Sequence, residues 1–264
     1  MTEKNRGILV VSFGTSHEDT RMKTIDAIVK DIRAAYPERR IYEAWTSKMI
    51  IKKLAKSGRH VMTVSEAMEQ MIKDNVTHLT VQPTHVINGI ENDRMKQDVL
   101  EWEQQLQEVR FGTPLLTSEE DSFSVIDILM EEFVPLDPGA ALVFMGHGTT
   151  HYANTIYAAL DYQFKDKGFP HVYVGTVEAY PSMETLKRLL KEGGYKRLIL
   201  TPFMIVAGDH AKNDMSGEDE DSWRSQFERA GYEVECVLKG LGEYRGVREL
   251  FLKHIRQAEE EEEA

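Results

Sequence analysis

Short apolar runs alternate along the chain with segments whose apolar residues recur every three or four positions. Ile8–Phe13 is a continuous apolar stretch that predicts a strand. From about Ser16 a helix follows, carrying Met22, Ile25, Ile28, Val29 and Ile32 at helical spacing until Pro37 stops it. The same grammar predicts strands near Arg40–Trp45, His78–Gln82, Pro114–Leu116, Ala141–Met145, Val172–Val177, Arg197–Phe203 and Val234–Val237. Helices fill the intervals, with Ser47, Ser65 and Ser182 placed as N-caps. Strand and helix in steady alternation is the pattern of a parallel sheet flanked by helices, so the fold class is α/β.

The two halves of the pattern resemble each other. Ile8-Leu-Val-Val-Ser-Phe-Gly-Thr15 aligns with Leu142-Val-Phe-Met-Gly-His-Gly-Thr149, which sets Gly14 on Gly148 at an offset of 134 residues. His78-Leu-Thr-Val-Gln-Pro83 aligns with Arg197-Leu-Ile-Leu-Thr-Pro202 at an offset of 119, and Gly89 then falls on Gly208. Any two strand-and-turn units share some likeness, but two matches in the same order, each keeping its Gly or Pro, favour an internal duplication. Pro135 and Pro138 punctuate the stretch Phe133–Gly139, which places the boundary between two similar lobes there, 1–134 and 135–264, with a cleft between them.

Composition narrows the class without naming a function. The chain has 264 residues, 41% hydrophobic and 29% charged, as in ordinary globular proteins. No apolar run approaches the roughly 20 residues a membrane-spanning helix needs. The lone Cys236 excludes an internal disulfide, and a cytoplasmic home is the default expectation. The formal charge is −12, of which Glu259–Glu263 supply five, so the body remains acidic. Nucleic acid and anionic membranes are disfavoured as partners, because both call for clustered Lys and Arg.

Ligands of open α/β sheets bind beyond the carboxyl ends of the strands. In the second half those positions carry Gly146-His147-Gly148, Val177-Glu178 and Asp209-His210. Two imidazoles and a carboxylate form a nitrogen and oxygen donor set suited to a first-row divalent metal, and three protein ligands leave coordination positions open. Singly, each has a plainer explanation: a histidine tolerated at a tight bend, a glutamate capping a helix, a solvated loop histidine. Their coincidence at three strand ends favours a site. The first half has Phe13 opposite His147 and Glu91 opposite His210, so one metal site is expected, in the second half. His85 is a candidate to face it, or an ordinary core or surface histidine.

The motifs Val10-Val-Ser-Phe-Gly-Thr-Ser16, Thr46-Ser-Lys-Met-Ile-Ile51, Phe144-Met-Gly-His-Gly148, Val177-Glu-Ala-Tyr-Pro181, Val206-Ala-Gly-Asp-His-Ala-Lys-Asn-Asp-Met215 and Asp221-Ser-Trp223 span nearly the whole chain. Together they resemble the anaerobic-type sirohydrochlorin cobaltochelatases, class II chelatases of the ferrochelatase-like superfamily. That resemblance implies a cytoplasmic enzyme that inserts Co²⁺ into sirohydrochlorin or precorrin-2, on the route to cobalamin, with neither ATP nor an organic cofactor. The absence of a Gly-Lys-Ser/Thr phosphate loop agrees with the last point.

The family's metal-binding His, Glu and His correspond to His147, Glu178 and His210, with His147 and His210 as the bases that take the pyrrole protons. Ser12, Phe13, Thr15, His85 and Met145 are expected to line the tetrapyrrole cleft. Lys48, Lys52, Lys53, Arg94 and Lys212 are available for the substrate's carboxylates, or are simply solvated helix faces. The run Glu218–Asp221 either attracts metal ions or opens an acidic helix before Trp223. Insertion of Fe²⁺ or Ni²⁺, a non-catalytic carrier of tetrapyrrole or metal, and the oligomeric state, including a homo-oligomer, all stay open at this point.

Overall fold

The computed structural model describes residues 5–260 and contains two four-stranded, all-parallel sheets flanked by helices. The chain divides into two compact units, one running to Thr117 and taking in the helix that begins at Arg245, the other Ser118–Tyr244.

In the first unit the order along the chain is β1 (Arg6–Ser12), α1 (Glu18–Lys23), α2 (Ile25–Ala35), β2 (Arg40–Trp45), α3 (Lys48–Lys56), α4 (Val64–Lys73), β3 (His78–Pro83), α5 (Ile90–Leu100) and β4 (Glu108–Phe111). The sheet order is β2-β1-β3-β4. On the central β1, Leu9 and Val11 pack with Val64, Met68, Met71, Met95 and Val99 of α4 and α5. Ile8 and Val10, one residue out of phase, are equally buried, so both faces of the strand are covered. Each such aliphatic side chain contributes about 1.5–3 kcal/mol by leaving water.

The second unit begins with α6 (Glu119–Phe133) and continues through β5 (Ala140–Gly146), α7 (Thr155–Asp166), β6 (Val172–Thr176), α8 (Met183–Gly193), β7 (Arg197–Pro202), α9 (Trp223–Arg229) and β8 (Glu233–Cys236). Its sheet order, β6-β5-β7-β8, is that of the first unit. Val143 and Met145 enter a core with Leu186, Leu190, Leu198, Leu200, Trp223 and Phe227. Phe144, between them, faces the other side and packs on Phe133, Phe164 and Phe203.

The likeness extends to single hydrogen bonds. Val11 pairs with Pro83 as Met145 pairs with Pro202, and Ser12 with Trp45 as Gly146 with Thr176. Just past the strands, the Ser47 N–H donates to the Phe13 carbonyl as the Glu178 N–H donates to that of His147. The Asp93 N–H donates to Gly89 as that of Lys212 does to Gly208. Phe13, Ser47 and Glu91 are therefore the first unit's counterparts of His147, Glu178 and His210.

Four local expectations need correction. The first helix is broken in two at Thr24, whose backbone leaves the helical region while its hydroxyl donates to the Thr20 carbonyl at 2.6 Å. The cap of α4 is Thr63, in a reciprocal capping box with Glu66, and Ser65 lies inside the helix. Pro114–Leu116 is not a strand. The fourth strand is Glu108–Phe111, a half-buried edge whose charged residues hide it from an apolar search, while Leu115 and Leu116 are buried beyond it, with Leu116 in an isolated bridge to Ile87.

The fourth correction concerns the boundary, which falls after Thr117 rather than at 134. The terminal helix α10 (Arg245–Glu260) returns to the first unit, where it packs on α2, β3 and β4 and buries Val247, Leu250, Phe251 and Ile255. Among the described residues no helix is long and apolar enough to cross a membrane.

Candidate metal centre

Three parallel strands of the second unit deliver one donor each. His147 follows β5, Glu178 stands two residues after β6, and His210 lies in the segment after β7, at the entry to a short π-helical turn over Ala211–Met215. One donor atom from each lies within 4.8 Å of the others, so the three could hold one metal ion, and among the described residues no other such group of His, Cys, Asp or Glu occurs. The two imidazole rings meet edge to face, their centroids 4.6 Å apart. His147 Nδ1 is 3.9 Å from Glu178 Oε2. All three side chains are partly exposed, which leaves an approach for the ion from solvent.

The second nitrogens set the tautomers. His147 Nδ1 lies 2.8 Å from the Gly148 carbonyl, and His210 Nδ1 lies 2.6 Å from Asp214 Oδ2. A carbonyl and a carboxylate accept, so each Nδ1 carries a proton, and the neutral tautomer of each ring then has its lone pair on Nε2. A ligating histidine held through its other nitrogen is the usual arrangement at metal sites. Asp214 also adds a carboxylate beside the three residues that could hold a metal ion.

The turn under His147 tolerates little variation. Gly148 has φ +86°, and a Cβ there would meet the Ala179 nitrogen and Thr176 Cβ at 2.9 Å. A Cβ on Gly146 would lie 2.5 Å from the ring of Tyr157. Burial pushes the pKa of Tyr157 up to about 12, although the nearby backbone of Gly148 and His147 pulls the other way, so it remains a neutral phenol. Tyr157 and Asp214 escaped the sequence reading. The spacing of His210 and Asp214, four apart, was the only signal for the latter.

The remaining expected residues fare differently. Phe13 is 41% exposed at the end of β1 and can present its ring to a ligand. Ser12 is buried, its Oγ accepting from the Thr84 hydroxyl at 2.8 Å, and buried Thr15 accepts from the His17 N–H. His85 is buried with neither ring nitrogen hydrogen-bonded, and that burial lowers its pKa to about 4 although Glu91 pulls the other way. Met145 needs correction: its side chain is wholly inside the second core and offers no surface to a substrate.

Among the cations, Lys53 donates to Ser16 and Arg94 pairs with Glu91. Lys48 and Lys52 are exposed on α3, and Lys212 is half-buried. The run Glu218–Asp221 is exposed and precedes the Ser222 cap of α9 rather than filling its first turn.

Comparison with known proteins gives the family of the chain. A sirohydrochlorin cobaltochelatase of Salmonella typhimurium is 37% identical over 254 residues, covering 96% of this chain and 96% of the relative. Sirohydrochlorin cobaltochelatase CbiKC of Nitratidesulfovibrio vulgaris is 32% identical, covering 98% and 91%. Among solved structures, SirB from Bacillus subtilis with Fe³⁺ superposes with a TM-score of 0.66 at 14% identity, covering 96% and 95%, and so speaks for the fold alone. The family profile described as cobalt chelatase (CbiK) matches residues 6–260, and with relatives of this identity and coverage the chain belongs to that family.

Proposed function

We propose that the protein inserts Co²⁺ into sirohydrochlorin, receiving the ion on His147, Glu178 and His210. The observation that carries the reading is the convergence of two histidines and a glutamate, donor atoms within 4.8 Å, in a chain of the cobalt chelatase family. Insertion exchanges the two protons on the pyrrole nitrogens for one dication. The site must therefore hold the metal only partly wrapped and accept protons close by. Three protein ligands leave the ion open positions for the incoming macrocycle nitrogens. The Nε2 lone pairs of His147 and His210 become available as proton acceptors once the ion has left them. Glu178 offsets the charge of the ion while it is bound.

The tetrapyrrole itself is assigned to the strand ends of the first unit that carry Ser12, Phe13, Thr15 and His85, where Phe13 offers an exposed ring while Ser12, Thr15 and His85 are buried. Met145 drops out of this set. The exposed Lys48 and Lys52 suit a polycarboxylate substrate. No ATP or organic cofactor enters the scheme, and the lone Cys236 accords with a cytoplasmic setting.

Purified protein mixed with sirohydrochlorin and Co²⁺, Fe²⁺ or Ni²⁺ in turn tests the reading through the absorbance change on metallation against the protein-free rate. Acceleration with Co²⁺ is expected, and binding without acceleration by any metal would leave a carrier. His147→Ala should lose most activity while staying folded. Glu178→Gln should weaken Co²⁺ binding more than tetrapyrrole binding.

A further inference from the structure

Helix α7 is entered through a 3₁₀ turn over Tyr152–Asn154, whose cap is His151, its side chain accepting from the Ala153 N–H. Asn154 is the residue before α7, a position where asparagine ordinarily accepts a hydrogen bond from the helix's own first turn and adds about 1 kcal/mol. Here its backbone is already helical, at φ −56° and ψ −26°, and its side chain makes no capping bond. The amide points at two other segments instead. Its Oδ1 accepts from the Thr149 N–H at 3.0 Å, and its Nδ2 donates to the Tyr180 carbonyl at 2.6 Å.

Those two contacts fall on matching places. Thr149 is two residues beyond His147, and Tyr180 is two residues beyond Glu178. A donor and an acceptor on one planar group are needed to bridge an N–H in one segment to a carbonyl in the other, and only an amide side chain has both in that form. At their base the two segments are joined by the Glu178 N–H donating to the His147 carbonyl at 3.0 Å. The amide of Asn154 adds a second tie two residues further out, so the segments are held at two points and cannot splay about one.

We infer that Asn154 is a positioning residue, which fixes the separation of His147 and Glu178 by bridging the segments that carry them. The inference rests on reading those side chains as the receivers of the metal. Metal sites depend on ligand distances to within about 0.2 Å, so loosening either segment weakens the ion's hold without touching a ligand.

Co²⁺ titration followed by the ion's visible absorption, on wild type, Asn154→Leu, Asn154→Asp, Asn154→Ala and His147→Ala, tests this. Asn154→Leu removes both bonds at similar volume and should raise the Co²⁺ Kd by about 10–100-fold, with the KM for tetrapyrrole unchanged. Asn154→Asp keeps the acceptor for Thr149 and loses the donor to Tyr180, and uncharged Asn154→Ala, too short to bridge, serves if the leucine variant does not fold. The aspartate's added negative charge would by itself tighten a dication, so a raised Kd there supports the bridge directly.

A wild-type Kd in Asn154→Leu or Asn154→Ala, whichever folds, with binding lost in His147→Ala, overturns the role of Asn154 and leaves the metal centre standing. A wild-type Kd in His147→Ala overturns the metal centre, and the inference with it.

Discussion

His85→Leu removes a group that the fold holds at some cost. The imidazole is buried, neither ring nitrogen is hydrogen-bonded, and burial lowers its pKa from an ordinary 6.5 to about 4. Between those two values the unfolded chain binds a proton that the folded chain does not. Stability is therefore complete above pH 6.5, falls as pH is lowered through this window, and levels off below about 4. At pH 4.5 this one group has removed about 2–3 kcal/mol relative to pH 7.5.

Leucine does not titrate, so the variant should lose that much less on acidification than the wild type. Urea unfolding at the two pH values, followed by the fluorescence of Trp45 and Trp102 in the same unit, measures the double difference. At pH 7.5 the variant should be as stable as the wild type or more so, since an unpaired buried polar atom costs about 1–3 kcal/mol. Its chelatase activity should fall if His85 meets the tetrapyrrole. Equal acid sensitivity in the two proteins would refute the burial argument, and undiminished activity would remove His85 from the substrate site.

Gly148→Ala forces a side chain into a left-handed backbone position against Ala179 and Thr176. It should cost about 1–3 kcal/mol in unfolding experiments and weaken Co²⁺ binding by displacing His147; unchanged binding would show that the turn is not rigid. Glu259→Ala breaks the largely buried pair with Arg39 and strips the Thr80 hydroxyl of its acceptor near the end of α10. Urea unfolding of the first unit should show a loss of about 2–4 kcal/mol, with the Co²⁺ Kd of the second unit untouched.

Where apolar residues run together, as in Ile8–Val11 and Leu142–Met145, the chain by itself dictates a buried parallel strand, because no other placement removes both faces from water. The repeated strand-and-glycine pattern likewise determined the duplication, and the unequal residues at its strand ends determined which half holds both histidines. Sequence also put each ligand just beyond a strand, since a turn residue there has nowhere to go but the sheet's carboxyl edge.

What it could not decide were contacts between segments far apart in the chain. The edge strand Glu108–Phe111 is chosen by pairing with β3, and its own residues are charged enough to pass for a loop. Helix α10 returns to the first unit because its apolar face matches a surface more than a hundred residues earlier. Met145 and His147 are two residues apart, yet one is core and the other is at the site, because the strand ends between them. Asn154 and Tyr157 give no sign in isolation: Asn154 acts through hydrogen bonds to the segments that carry His147 and Glu178, Tyr157 through its ring against Gly146, and only the tertiary structure brings those within reach.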